Sequence, residues 1–191
     1  LASSGLAAIT AAVLSRVGAG DHVLLPDSVY GPTRGFCQRF LKRFNVEATY
    51  YDPTIGAEVA GLMRPETKVV FVEAPGSYTF EMQDIPAIAE AAHDGGATVI
   101  MDNTWATPVF FRPLDFGVDI SVQALTKYVV GHSDVMLGSA VANEEHWPDL
   151  WDIYWKLGYS VSPDDSYLAL RGLRTLSVRL ARHQETGLKL A

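Results

Sequence analysis

The chain has 191 residues, 48% of them hydrophobic and 19% charged, with a formal net charge of −7 and an isoelectric point near 5.1. This balance predicts a substantial folded core and argues against disorder and against a nucleic-acid surface as the main function. The single cysteine, Cys37, excludes an intrachain disulfide and a cysteine-based metal centre, the five histidines show no metal-ligand spacing, and no apolar run of about 18 residues predicts a membrane span. No charged start followed by an apolar stretch and a cleavage site is present, so no signal peptide is expected. The chain opens on Leu1, and its first residues already read as domain interior, so it is expected to be part of something longer.

Short apolar runs alternate with helical periods along the chain, the signature of an α/β fold with a mainly parallel sheet. Leu6, Ile9 and Val13 repeat at helical spacing after Ser3-Ser4-Gly5, and Gly18 and Gly20 end that helix. Residues 21–26 read as a strand, 31–44 as a helix and 46–51 as a second strand, with a turn at Asp52-Pro53. A short helix over 57–63 leads to a strand over 68–73, and residues 74–83 read as a loop with Pro75 and Gly76. Helix 86–94 has Pro86 at its start and Gly95-Gly96 at its stop. Strands are expected at 97–101, 118–123 and 135–142, with a long aromatic connection from 102 to 118 that carries Pro108 and Pro113. Such connections at strand ends commonly line a site. Two helices, roughly 144–157 and 163–182, complete the chain; Ser162, Pro163 and Asp165 give the second a capping-box-like start. The basic clusters Arg171-Gly172-Leu173-Arg174 and Arg179-Leu180-Ala181-Arg182 read as a solvated helix face or a subunit contact.

Four elements carry chemistry. Asp102 ends one apolar run and Lys127 follows another, in Ser121-Val122-Gln123-Ala124-Leu125-Thr126-Lys127. A strand-end carboxylate followed by a strand-end amine suits pyridoxal phosphate: the lysine forms the Schiff base, and the carboxylate holds the pyridine nitrogen protonated. Ser3-Ser4-Gly5-Leu6 at a helix start offers backbone N–H groups and the positive helix end to a phosphate. Tyr30, between a strand and a helix, places an aromatic ring where it could stack on a planar cofactor or simply pack under a loop. The Thr126 hydroxyl is a candidate phosphate contact. No Gly-x-Gly-x-x-Gly follows a predicted strand, which sets aside a nicotinamide-binding doubly wound protein.

These segments are joined by Glu73-Ala74-Pro75-Gly76-Ser77, Gly131-His132-Ser133-Asp134 and Leu170-Arg171-Gly172-Leu173-Arg174-Thr175-Leu176. Taken in order, they resemble the Cys/Met-metabolism family of pyridoxal phosphate enzymes, and within it the bacterial cystathionine β-lyase branch. The resemblance covers nearly the whole chain. It implies the type I pyridoxal phosphate fold: a mostly parallel sheet with one antiparallel strand and helices on both faces. It implies Gly5 and Leu6 as backbone phosphate donors, Tyr30 as the ring-stacking tyrosine with a part in catalysis, Asp102 as the pyridine-nitrogen partner, Thr126 as a phosphate hydroxyl and Lys127 as the catalytic Schiff-base lysine. Ala124 departs from the pattern, because many members have Ser three residues before the lysine.

The implied reaction is α,β-elimination of cystathionine to homocysteine, pyruvate and ammonia. The rivals are a γ-lyase, γ-synthase or methionine γ-lyase activity, or a fragment that folds or binds pyridoxal phosphate without turnover. Relatives of this kind carry an N-terminal arm and a C-terminal domain, neither recognisable here. Residues 1–143 are therefore expected to form the core of the cofactor-binding domain, and residues 144–191 a helical continuation toward a further domain. A small sulfur amino acid, a homo-oligomeric partner and a cytoplasmic location complete what the resemblance implies.

Overall fold

The computed structural model describes residues 1–191. Its elements, in chain order, are α1 (Gly5–Leu14), β1 (His22–Pro26), α2 (Gly31–Gly35), β2 (Glu47–Tyr51), β3 (Thr67–Glu73), α3 (Ile85–Asp94), β4 (Thr98–Asp102), α4 (Thr107–Phe110), β5 (Ile120–Gln123), β6 (Ser139–Ala142), α5 (Trp147–Lys156), α6 (Pro163–Leu173) and α7 (Leu176–Leu190). One six-stranded sheet runs β2-β1-β3-β4-β5-β6. Its pairs are parallel except for β5 with β6, which is antiparallel. This is the mostly parallel sheet with one antiparallel strand expected from the sequence.

Away from their ends the central strands are apolar because both faces are covered. Val23, Leu25, Val69, Phe71, Ile100, Ile120 and Val122 pack with α1 on one face. The alternate residues Leu24, Val70, Val72, Val99 and Met101 pack with Ile85, Ile88, Ala89 and Ala92 of α3 on the other. Full burial of each large aliphatic side chain contributes about 1.5–3 kcal/mol. Ser4 caps α1 by accepting the Ala7 N–H (3.1 Å), and Asp84 caps α3 by accepting that of Ala87 (3.2 Å).

Local details differ from the sequence pattern. Residues 31–44 are helical, but α2 gives way to a π turn over Phe36–Phe40 and a 3-10 turn over Leu41–Phe44, ending at Asn45 in the left-handed region (φ 59°). The helix after Asp52-Pro53 is a 3-10 helix, Gly56–Leu62, and the long aromatic connection holds α4 and a 3-10 turn at Pro113–Phe116. The strand expected over 135–142 is ladder-paired only from Ser139. The residues before it are engaged elsewhere: Leu137 with Thr126, and Gly138 with Ala2 through two 2.8 Å backbone bonds. The helix expected over 163–182 is broken into α6 and α7. At the break, the Gly172 carbonyl is taken by the Thr175 hydroxyl (3.1 Å) and by Arg179 Nη2 (2.9 Å). α6 and α7 pack through Ala169, Leu176 and Leu180 on Leu125, Val129, Val130, Val135 and Leu137, the segment that follows β5. No helix is long and apolar enough to cross a membrane.

Candidate active site

A cleft of about 1110 Å³ opens where β3 and β4 end and where the chain leaves β5. Gly5, Leu6, Tyr30, Asp102, Thr126 and Lys127 all line it. These residues come from four separate stretches of sequence: three end or follow strands of the parallel sheet, and the fourth, the start of α1, closes on the end of β5.

One end of the cleft is the start of α1. The Ser4 side chain occupies the Ala7 N–H, while the N–H groups of Gly5 and Leu6 have no acceptor within the protein. Two free N–H groups at a helix start form a ready site for an anion. Gly5 is required there for a steric reason: a Cβ would lie 2.6 Å from the Cβ of Ala124 and 2.9 Å from its Cα. Glycine lets the helix start close on the end of β5, and Ala124 leaves that space free of a hydroxyl.

Asp102 is buried at the last position of β4. Its Oδ1 accepts both the backbone N–H (3.0 Å) and the hydroxyl (2.6 Å) of Thr104. The Thr104 oxygen in turn accepts the N–H of Ala124 (2.8 Å). This chain ties the carboxylate to the end of the next strand and leaves Oδ2 without a partner in the protein. Burial pushes the Asp102 carboxyl above the usual carboxylate range, against the pull of the two Thr104 bonds.

Glu73 stands directly beside Asp102 in the β3–β4 ladder, also at the last position of its strand and also buried in the cleft wall. Its Oε2 accepts the backbone N–H of Tyr30 (2.9 Å), and its own N–H donates to Gln83 Oε1 (2.9 Å). Burial first, and the neighbouring Asp102 second, push its carboxyl up to about 8. The sequence pattern named Glu73 only as part of a motif. An acid closing a buried apolar run was a usable signal for it, and the Asp-x-Thr spacing was one for Thr104.

Tyr30 sits just ahead of α2, 39% exposed, and lines the cleft. Lys127 is exposed in the turn that follows β5, and Asp134, which shares the cleft lining, pairs with Arg171 (2.5 Å) and not with it. Thr126 lines the cleft, but its hydroxyl donates to the Leu137 carbonyl (3.1 Å) and accepts the Leu137 N–H (2.9 Å). A contact from this hydroxyl proton to a phosphate therefore requires the Leu137 bond to break. The backbone just after Lys127 is clamped from α7: Arg179 donates to the carbonyls of Tyr128 (2.6 Å) and Val129 (3.1 Å). One turn further on, His183 lies 5.8 Å from the Tyr128 ring and also lines the cleft. Neither Arg179 nor His183 was legible as a site residue, because both depend on how α7 folds back. No group of three or more His, Cys, Asp or Glu side chains is placed to hold a metal ion.

A family profile described as Cys/Met metabolism PLP-dependent enzyme matches residues 1–191. The chain belongs to this family. A provisionally named cystathionine beta-lyase of Rhizobium johnstonii is 60% identical over 191 residues, which are 100% of this chain and 48% of the relative. Cystathionine beta-lyase MetC of Escherichia coli is 45% identical over 189 residues, 98% of this chain and 48% of the relative. Among solved structures, cystathionine gamma-lyase from Lactobacillus plantarum complexed with L-serine superposes with a TM-score of 0.88 at 35% identity, over 93% of this chain and 46% of that one. The chain thus spans about half the length of the curated relatives it matches.

Proposed function

We propose that this chain forms the cofactor-binding part of a pyridoxal phosphate-dependent carbon–sulfur lyase that cleaves cystathionine by α,β-elimination to homocysteine, pyruvate and ammonia. The observation that carries the reading is a buried carboxylate with one unpartnered oxygen, Asp102 Oδ2, in the same cleft as the Lys127 amine and the free N–H groups of Gly5 and Leu6. That donor set fits the cofactor from end to end. Gly5 and Leu6 would hold its phosphate, Tyr30 would cover its ring, Asp102 would accept the ring N–H, and Lys127 would hold its carbonyl carbon. The names of the curated relatives support the choice of substrate.

Pyridoxal phosphate, when bound, supplies an electron sink for the substrate's α-carbon. The protein's own residues supply position and charge. Asp102 presents a negative charge to the ring nitrogen, and the Thr104 hydroxyl fixes the direction of that carboxylate. The Gly5–Ala124 contact sets the distance between the phosphate end of the cleft and β5. Lys127 takes the α-proton at Nζ, a role open to an unpaired amine on the cleft wall. Arg179 holds the Tyr128 and Val129 carbonyls and so limits the excursions of the turn bearing Lys127.

Residues 1–143 would form the core of this unit, with the helices beyond 144 leading toward a further domain, and the whole would work as a cytoplasmic homo-oligomer. The exposed faces of Trp147, Trp151 and Trp155 on α5 support association. A γ-lyase activity is the second reading, favoured by the structural likeness to the Lactobacillus plantarum enzyme. Incubation of the cofactor-loaded protein with cystathionine decides among them. Pyruvate with homocysteine supports the β-lyase, 2-oxobutyrate with cysteine supports the γ-lyase, and no product with intact cofactor binding leaves a folded binder without turnover.

A further inference from the structure

Two carboxyl groups, Glu73 and Asp102, end adjacent parallel strands in direct register, and both are buried in the wall of one cleft. Neighbouring strands lie about 4.8 Å apart, and paired residues point their side chains to the same face. Two buried carboxylates so placed cannot both hold a full negative charge cheaply, so the pair tends to keep one proton. The question is which member keeps it.

The hydrogen bonds answer. Asp102 Oδ1 receives two donors from Thr104, one of them a hydroxyl at 2.6 Å, and donors of that kind favour the charged form. Glu73 receives the backbone N–H of Tyr30 on Oε2 and, as the smallest influence on it, the Ser77 side chain. A neutral carboxyl oxygen also accepts such bonds, and neither matches the 2.6 Å hydroxyl on Asp102. The other titratable groups sharing the cleft lining are Tyr30, Lys127, Tyr128, Asp134 and His183, and Asp134 is neutralised by Arg171.

We propose that Glu73 is a positioning residue of this site: as the neutral member of the Glu73–Asp102 pair it leaves the negative charge on Asp102, and through the Tyr30 N–H it fixes the backbone that carries the ring-covering tyrosine. The proposal rests on the reading of the cleft as a pyridoxal phosphate site. The upward displacement of the Glu73 carboxyl to about 8 agrees with it. So does the anchoring of the Glu73 backbone by Gln83, whose side-chain amide in turn reaches the hydroxyl of Tyr51 (3.3 Å). Glu73 is held from both ends and is not free to turn away from Asp102.

The test compares Glu73→Gln with Glu73→Leu in the cofactor-loaded protein. Glutamine keeps a neutral oxygen for Tyr30 and no charge beside Asp102; leucine keeps the bulk and removes the acceptor. Readouts are the dissociation constant for pyridoxal phosphate, the visible circular dichroism of the bound cofactor, which reports ring orientation, and the melting temperature of the cofactor-free chain. Glu73→Leu is expected to weaken cofactor binding about tenfold and to reduce the dichroism, because the Tyr30 N–H is left unpaired. Glu73→Gln is expected to weaken binding less than about threefold and to keep the dichroism. Between pH 6 and pH 8 its melting temperature should fall less than that of the wild type, since its side chain has no proton to lose.

Equal damage from both substitutions would show that Glu73 works as an anion and would overturn the proposal. Wild-type dichroism and affinity in both variants would overturn it as well, by removing the link to Tyr30. If Glu73→Leu does not fold, the glutamine variant still decides, because its retention of affinity with a flattened pH response is the expected result and a loss of both is the contrary one. Failure of the wild-type protein to take up pyridoxal phosphate would instead overturn the reading of the cleft, and the proposal with it.

Discussion

The two edges of the sheet each bury an aspartate, and the two are used in opposite ways. At the amino edge, Asp119 is bonded through both oxygens. Oδ2 accepts the Val99 N–H (2.8 Å) and meets His93 Nε2 (2.9 Å), and Oδ1 accepts the Asn143 side-chain amide (3.0 Å). Asn143 and Thr98 then hold His146, and Thr98 meets Arg16, which pairs with Asp149 on α5 (2.6 Å). At the carboxyl edge, Asp102 has protein donors on one oxygen only, both from Thr104. Asp119 is a joint between α3, β4, β5 and the start of α5. Asp102 is oriented but left half open, beside a second buried acid and in the same cleft as a lysine. Burial alone therefore does not distinguish the two acids; the unpartnered oxygen of Asp102 does, and it is the feature the proposed function uses.

Substitutions should separate the edges cleanly. The largest effect is expected from Lys127→Ala: turnover of the full-length enzyme on cystathionine should fall about 10³-fold or more, since the group proposed to move the α-proton would be lost. Borohydride reduction and peptide mapping of the wild type should place the pyridoxyl group on Lys127, and recovery of that group on Lys42, Lys68, Lys156 or Lys189 would break the assignment. Asp102→Asn should lower turnover on the order of 10²-fold, the cost typical of losing one fixed electrostatic contact to a transition state. Its melting temperature should change little, because the amide keeps an acceptor for Thr104. A variant that loses stability but not turnover would place Asp102 in the same class as Asp119.

What could be read from the sequence follows the same division between local and long-range causes. The strands at 21–26, 68–73 and 97–101 were legible within a residue or two, because burial on both faces makes each a continuous apolar run. Asp102 and Lys127 were legible because a charge closing or following such a run is locally anomalous. The early end of β6 was not, because it depends on Leu137 and Gly138 pairing with Thr126 and Ala2 far away in the chain. Nor was the break at Arg174-Thr175: the local sequence suits one helix, and it is Arg179, reaching to Tyr128 and Val129, that fixes α7 in a new direction. Glu73 was visible as a residue but not as a partner of Asp102, since that relation exists only in the register of β3 against β4.

At the amino edge the expected effect is thermodynamic. Asp119→Ala removes the acceptor for the Val99 N–H, the Asn143 amide and the His93 ring at once. Leaving such groups unpaired in a buried place costs about 3 kcal/mol in total. Denaturant unfolding of the cofactor-free chain would measure it. Cofactor uptake by the folded fraction should be the same as in the wild type, because none of these groups lines the cleft. A variant that unfolds no more easily would mean that water replaces the lost carboxylate, and that the amino edge is less closed than its hydrogen bonds indicate.

The smallest predicted effect is a pH dependence belonging to the carboxyl edge alone. The Glu73 carboxyl titrates near 8 in the folded chain, against 4.5 for its ordinary value. Between those two limits the folded state binds a proton that the unfolded state has released, so stability falls as pH rises. Below pH 4.5 both states are protonated and the contribution is flat; above pH 8 both are ionised and it is flat again. Asp102, also displaced upward by burial, acts in the same direction. A fall of about 2 kcal/mol between pH 6 and pH 8 is expected for the cofactor-free chain. Bound pyridoxal phosphate should reduce it, because a protonated ring nitrogen beside Asp102 favours the charged carboxylate and relieves the pair. Stability that rises over this interval, or a fall unchanged by the cofactor, would mean that the two acids do not share a proton and that Asp102 is no more open than Asp119.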